Sequence, residues 1–104
     1  MINLTDENFK KELSNSQKPV LVDFWASWCA PCGALGPILE KVDADSSGEV
    51  IFAKVNIDEA PVTAQEFGID RIPNVILFKD GKPVNSFVGV RPEEEIKKWL
   101  GENI

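Results

Sequence analysis

The chain has 104 residues, 43% of them hydrophobic and 27% charged, with a formal net charge of −6. That length suits one domain around one buried core, and the apolar share is too high for a disordered chain. No basic cluster offsets the acidic surplus, so nucleic acid and anionic membrane are poor partners. No segment approaches the roughly 20 apolar residues of a membrane helix. Residues 1–7 show neither the basic nor the apolar part of a secretory signal. Together these features predict a soluble, cytoplasmic protein, with a monomer as the default expectation.

The predicted elements run as follows. Thr5 is placed to cap a short helix, with Asp6 and Glu7 in its first turn and Phe9 and Leu13 on one face. Val20 to Ala26 is a nearly continuous apolar run, the pattern of a central strand buried on both sides. Leu35, Ile38, Leu39 and Val42 then recur at helical spacing. Gly33 and Gly36 weaken that helix, and Pro37 is expected to kink it. Val50 to Ile57 reads as a second buried strand, and Ala60 to Phe67 as a short helix stopped at Gly68. Residues 74–78 and 84–88 flank Asp80-Gly81, the signature of a β-hairpin whose glycine supplies a positive φ. Pro92 and Glu93 to Glu95 open a last helix, with Ile96, Trp99, Leu100 and Ile104 on its apolar face. Strands separated by helices require parallel crossovers, and the closing hairpin adds an antiparallel edge. The expected fold is α/β, a central mixed sheet with helices on both faces, over residues 1–104.

The only two cysteines lie in Trp28-Cys29-Ala30-Pro31-Cys32, between the first buried strand and a helix. A C-x-x-C at such a junction reads as a thiol–disulfide redox site. So short a loop constrains the unfolded chain little, so the pair is suited to making and breaking a bond rather than stapling the fold. Cys29 falls at the start of the helix, where free N–H groups and the helix dipole favour an anion. Because the thiolate is the nucleophile, Cys29 is assigned as the attacking thiol. Cys32, one turn inside, is assigned as the resolving thiol. Pro31 sits where a missing N–H costs the helix nothing. Trp28 is expected to be partly exposed beside Cys29, with Trp25 more core-like. Asp23 is the anomaly of its apolar strand. Burial there raises a carboxyl pKa and suits it to proton transfer. Lys54 interrupts the next strand in the same way and can approach Asp23 if the two strands are neighbours.

The chain resembles the thioredoxin family over nearly its whole length. The resemblance is carried by Asp23-Phe24-Trp25-Ala26 running into Trp28-Cys29-Ala30-Pro31-Cys32. It continues through Pro37, Lys54 to Asp58, Phe67-Gly68-Ile69, Ile72-Pro73, Phe78 to Gly81 and Val88-Gly89. It implies the thioredoxin fold and a general protein-disulfide reductase, recharged by a thioredoxin reductase and acting on disulfide-containing target proteins. No cofactor and no metal ion is implied. It further implies that Asp23 takes the Cys32 proton, that Lys54 tunes Asp23, and that Ile72-Pro73 is a cis bond opposite the cysteines. The implied docking surface comprises Trp28, Ile72, Pro73, Val88 and Gly89, with Ala30 and Arg71 beside it. Free backbone groups at Ile72 would pair there with an extended substrate peptide.

Four positions depart from the family pattern: Ala30 for the usual glycine, Gly33 for a lysine or arginine, and Arg71 and Asn74 around Ile72-Pro73 for a small residue and threonine. Gly33 removes a cation from the neighbourhood of Cys29, and Arg71 puts one at the rim of the groove.

Other readings are weaker. Oxidases and isomerases of this fold typically carry histidine between the cysteines, and this chain has no histidine. The Trp-Cys-Ala-Pro-Cys motif does not resemble a glutaredoxin. Two cysteines without histidine do not complete a four-ligand zinc site. A purely structural subunit would not need the thiols at all.

Overall fold

The computed structural model describes residues 1–104. Five strands and four helices alternate along the chain: β1 (Ile2–Leu4), α1 (Phe9–Asn15), β2 (Val20–Trp25), α2 (Ala30–Asp45), β3 (Ile51–Asn56), α3 (Pro61–Glu66), β4 (Asn74–Lys79), β5 (Lys82–Val88) and α4 (Glu93–Asn103). The strands form one sheet in the order β1-β3-β2-β4-β5. β3 pairs in parallel with β1 and with β2, while β4 lies antiparallel to β2 and to β5. The mixed sheet expected from the sequence is thus observed, with β2 at its centre. The short β1 is an addition. Three residues carry too little periodicity to announce a strand, and only pairing with β3 defines it.

Alternation along β2 divides the core into two layers. Leu21 faces α2 and α4, where it packs with Leu35, Leu39, Val75, Leu77 and Ile96. Val20, Val22 and Phe24 face the other side, with Phe9 and Leu13 of α1 and Val55 of β3. Aromatic rings knit the second layer: Phe78 meets Phe9 and Phe67 edge-on, at centroid separations of 5.7 and 5.2 Å. In the first layer Phe87 meets Trp99 in the same way.

The hairpin turn has positive φ at both Asp80 and Gly81. That is the pattern of a tight two-residue turn whose twist matches the strands. α2 continues unbroken through Pro37.

Two local expectations are corrected. Thr5 does not cap α1 through its side chain. The helix starts at Phe9, and residues 5–8 form a turn in which Asn8 Oδ1 accepts the Thr5 N–H. Asp6 instead reaches across the fold to α3, where its carboxylate accepts the backbone N–H groups of Val62 and Thr63 and the Thr63 hydroxyl. It satisfies the free N–H groups at the start of a helix that has no cap of its own. Ile104 lies beyond α4 and is exposed, because the helix ends one residue short of it.

The hydrogen bonds to Thr63 hold the Asp6 carboxyl below its ordinary range. Its contribution is present above that range and is lost as pH falls through the lowered pKa. Asp6→Ala should therefore lower the urea midpoint at neutral pH, and the gap from the parent should narrow on acidification. Urea titrations at neutral and acid pH check this.

Candidate active site

The redox pair sits where β2 hands the chain to α2. β2 ends at Trp25, and Cys29 N–H bonds back to the Ala26 carbonyl at 3.2 Å. This fixes Cys29 as the residue preceding the first turn of α2. Its extended backbone, φ −93° and ψ 107°, is that of a helix N-cap. The Cys29 Sγ accepts the Cys32 backbone N–H at 3.2 Å, and Pro31 stands in the first turn. Sulfur thus occupies the position where oxygen-bearing caps normally satisfy a free N–H. Cys29 and Cys32 are joined by a disulfide, with 5.3 Å between their Cα atoms. Exposure is 8% for Cys29 and 4% for Cys32, so little of either sulfur faces solvent in the oxidised state.

Asp23 lies on the same face of β2 as Leu21, toward α2, and is 2% exposed. Burial pushes its carboxyl up to about 7, against a weaker lowering by the Lys54 ammonium. β2 and β3 are neighbours, and their register sets Lys54 of β3 directly opposite Asp23. The ammonium forms no direct ion pair there. It lies over the Trp25 ring, 5.2 Å from the centroid. Trp25 is half-buried rather than part of the main core. Its indole N–H and the Oδ1 atom of Asp23 are both buried without a hydrogen-bond partner. Asp23, Trp25, Cys29, Cys32 and Lys54 all line one cavity of about 180 Å3.

A second surface flanks the disulfide. Trp28 is 68% exposed, and its indole N–H donates to Asp58 Oδ2 at 2.8 Å. Ile72 packs against the small cluster of Ala26, Cys29 and Cys32. The Ile72-Pro73 bond is cis, and neither backbone group of Ile72 enters a backbone hydrogen bond. Gly89 N–H donates to the Pro73 carbonyl at 2.8 Å, and Val88 pairs with Asn74. Gly89 has φ +94°, a conformation that favours glycine. Ala30, Arg71 and Val88 are exposed.

The structure therefore gathers the anticipated residues into a cavity behind the disulfide and a surface in front of it. One correction concerns Pro73. Its ring is fully buried, so it shapes the surface from beneath instead of contributing to it. Asp58 had no role in the sequence reading. It lies two residues past β3, and only the folded chain brings it to Trp28, thirty positions away. Met1, Gly36 and Glu40 also line the cavity without a local signal in the sequence.

The thioredoxin family model, described as Thioredoxin, matches residues 1–102. A protein named Thioredoxin 2 from Chlorobaculum tepidum is 49% identical over 100 residues, covering 96% of this chain and 92% of the relative. A thioredoxin from Alicyclobacillus acidocaldarius is 46% identical, covering 95% and 93%. One from Rickettsia felis is 42% identical, covering 98% and 97%. The chain belongs to the thioredoxin family. It is a protein-disulfide reductase that works by dithiol–disulfide exchange at Cys29 and Cys32, with disulfide-bearing proteins as targets and a reductase to recharge it.

The raised carboxyl of Asp23 carries a stability signature. Between about pH 4 and 7 the folded chain holds a proton that the unfolded chain has released, so stability falls as pH rises through that window. Asp23→Asn is neutral throughout. Its advantage over the parent should be small near pH 4 and grow to on the order of 4 kcal/mol by pH 8. Urea denaturation of both proteins at the two pH values checks the sign and size.

Proposed function

We propose that Cys29 is the attacking thiol, Cys32 the resolving thiol and Asp23 the base that receives the Cys32 proton. In the reduced protein the Cys29 thiolate attacks one sulfur of a target disulfide. A mixed disulfide forms, and the target's other sulfur leaves as a thiolate. Cys32 then gives its proton to Asp23 and attacks the Cys29 sulfur. The Cys29–Cys32 disulfide forms, and the target's second thiolate departs. The target gains two electrons, and the reductase later returns two to the pair.

The observation that carries the assignment is the N–H of Cys32 donated to the Cys29 sulfur at the head of α2. A negative sulfur at that position gains from both the hydrogen bond and the helix dipole, so a lowered pKa belongs to Cys29. Asp23 supports the second half. It is buried, titrates near neutral pH and lines the same cavity as Cys32. Lys54 keeps it from rising further.

Trp28, Ile72, Val88 and Gly89, supported by Pro73, form the surface that receives an extended segment of the target, beside Ala30. The unpaired backbone groups of Ile72 bond to that segment as an added strand would. Arg71 is exposed at the rim and favours targets with acidic residues near their disulfide. The whole chain acts as one domain, as a monomer, in the cytoplasm. Its Cα radius of gyration is 12.5 Å, against about 13 Å for a single domain of this length.

Cys32→Ser should accumulate the mixed disulfide, which non-reducing electrophoresis detects. Asp23→Ala should slow release of that intermediate by about a hundredfold, the low end for a lost general base, while slowing its formation far less. Rapid-mixing kinetics separate the two steps, and equal slowing of both would remove Asp23 from the role. Arg71→Glu should shift preference from acidic to basic peptide disulfides by up to about fivefold, the ceiling for an exposed ion pair. Competition between the two peptides at low salt measures it.

A further inference from the structure

The cavity that holds Asp23 is lined by a different set of residues from the docking surface. Its rim carries the exposed Ser27, Gly33 and Glu40, and its wall the half-buried Gly36. None of Trp28, Arg71, Ile72, Pro73, Val88 and Gly89 lines it. A target seated over the sulfurs therefore covers the front of the site and leaves this side open.

The opening depends on two glycines of α2. A Cβ built on Gly33 or on Gly36 meets no atom within 4 Å, so the space beside both is free. Neither has a positive φ, so the backbone does not require glycine at these positions. Glycine in a helix interior costs up to about 1 kcal/mol relative to alanine. Two of them within one turn, on the wall of one cavity, leave a gap where side chains would stand. Behind the gap are two buried polar atoms without partners, an acceptor on Asp23 and a donor on Trp25. A cavity of about 180 Å3 with these polar atoms on its wall has room for several water molecules bridging them.

We propose that this gap is a proton side-port: Gly33 and Gly36 keep Asp23 in contact with solvent while a target protein covers the thiol face. The inference rests on the role of Asp23 proposed above. Each reduction delivers one proton from Cys32 to Asp23, and Asp23 must lose it, to solvent or back to Cys32 on recharging, before it can act again. Water in the side-port accepts it, so Asp23 returns to the carboxylate without waiting for the target to dissociate. The two glycines are positioning residues, acting on the reaction only through the solvation of Asp23. The charged or titratable groups facing Asp23 across the cavity are Lys54 from β3, Cys29, Cys32 and Glu40 from α2 and its approach, and Met1 with the chain's amino group.

The test fills the port. Gly36→Leu puts a side chain into the free space. It should raise the Asp23 titration midpoint, read by carboxyl-carbon NMR, by about one unit through lost solvation. The pH profile of mixed-disulfide release should move to higher pH by the same amount. Release at neutral pH should then slow by up to about tenfold and recover at alkaline pH. A merely structural defect would slow release at every pH and leave the midpoint unmoved. Gly33→Leu fills the port from its rim and should act in the same direction, which serves if Gly36→Leu does not fold. Gly101→Leu, in α4, should change nothing. If Asp23→Ala slows release but neither filled variant moves the midpoint or the profile, the side-port is wrong and the role of Asp23 stands. If Asp23→Ala leaves release untouched, the role itself fails, and the side-port with it.

Discussion

Strand β2 is enclosed on all four sides. β3 and β4 pair with its edges, and a layer of helices covers each face. Every residue from Val20 to Phe24 is buried, and at Trp25 the strand begins to emerge. This enclosure fixes where the chain leaves the sheet, and so where α2 can begin. The bond from Cys29 N–H to the Ala26 carbonyl then sets the sulfur at the head of that helix. Without a rigid strand behind it, the helix end would not hold its N–H groups in register with the sulfur.

The same enclosure sets the second half of the chemistry. Asp23 shares its face of β2 with Leu21, so its carboxyl is buried beside apolar side chains and its charge is disfavoured. At Cys29 the free N–H groups of a helix favour charge instead. Two adjoining elements thus offer opposed environments, a helix end that favours charge on sulfur and a buried face that disfavours charge on the carboxyl. Such divergence separates nucleophile from base in many enzymes. Lys54, opposite Asp23, limits the excursion without pairing with it, because its ammonium rests on Trp25. A direct ion pair would favour the carboxylate strongly and draw the group away from the neutral range.

Much of this was legible in the sequence because it rests on local or strongly patterned features. Apolar runs named β2 and β3. The Asp80-Gly81 pair named the hairpin, and the spacing of the cysteines with a helical pattern after them named the redox site. Asp23 and Lys54 each stood out as the single charge of an apolar strand, though only the fold set them opposite one another. What escaped shares a different property. β1 is a strand only because β3 offers it an edge. Thr5 has a capping residue type, yet the functional cap is Asp6, bonding to a helix more than fifty positions away. Pro73 reads as surface in one dimension and lies buried in three.

The sequence by itself determined the chemistry and the order of the elements. Residue type, spacing of two or three positions and hydrophobic period are properties of neighbouring residues, and they survive without the fold. The tertiary structure alone decided which distant groups meet. It joined Trp28 to Asp58, Gly89 to Pro73, and Asp23 to a cavity walled by Gly33 and Gly36. These contacts depend on how the helices settle against the sheet. That is a matter of packing volume and burial summed over the whole chain, and no short stretch of sequence contains it.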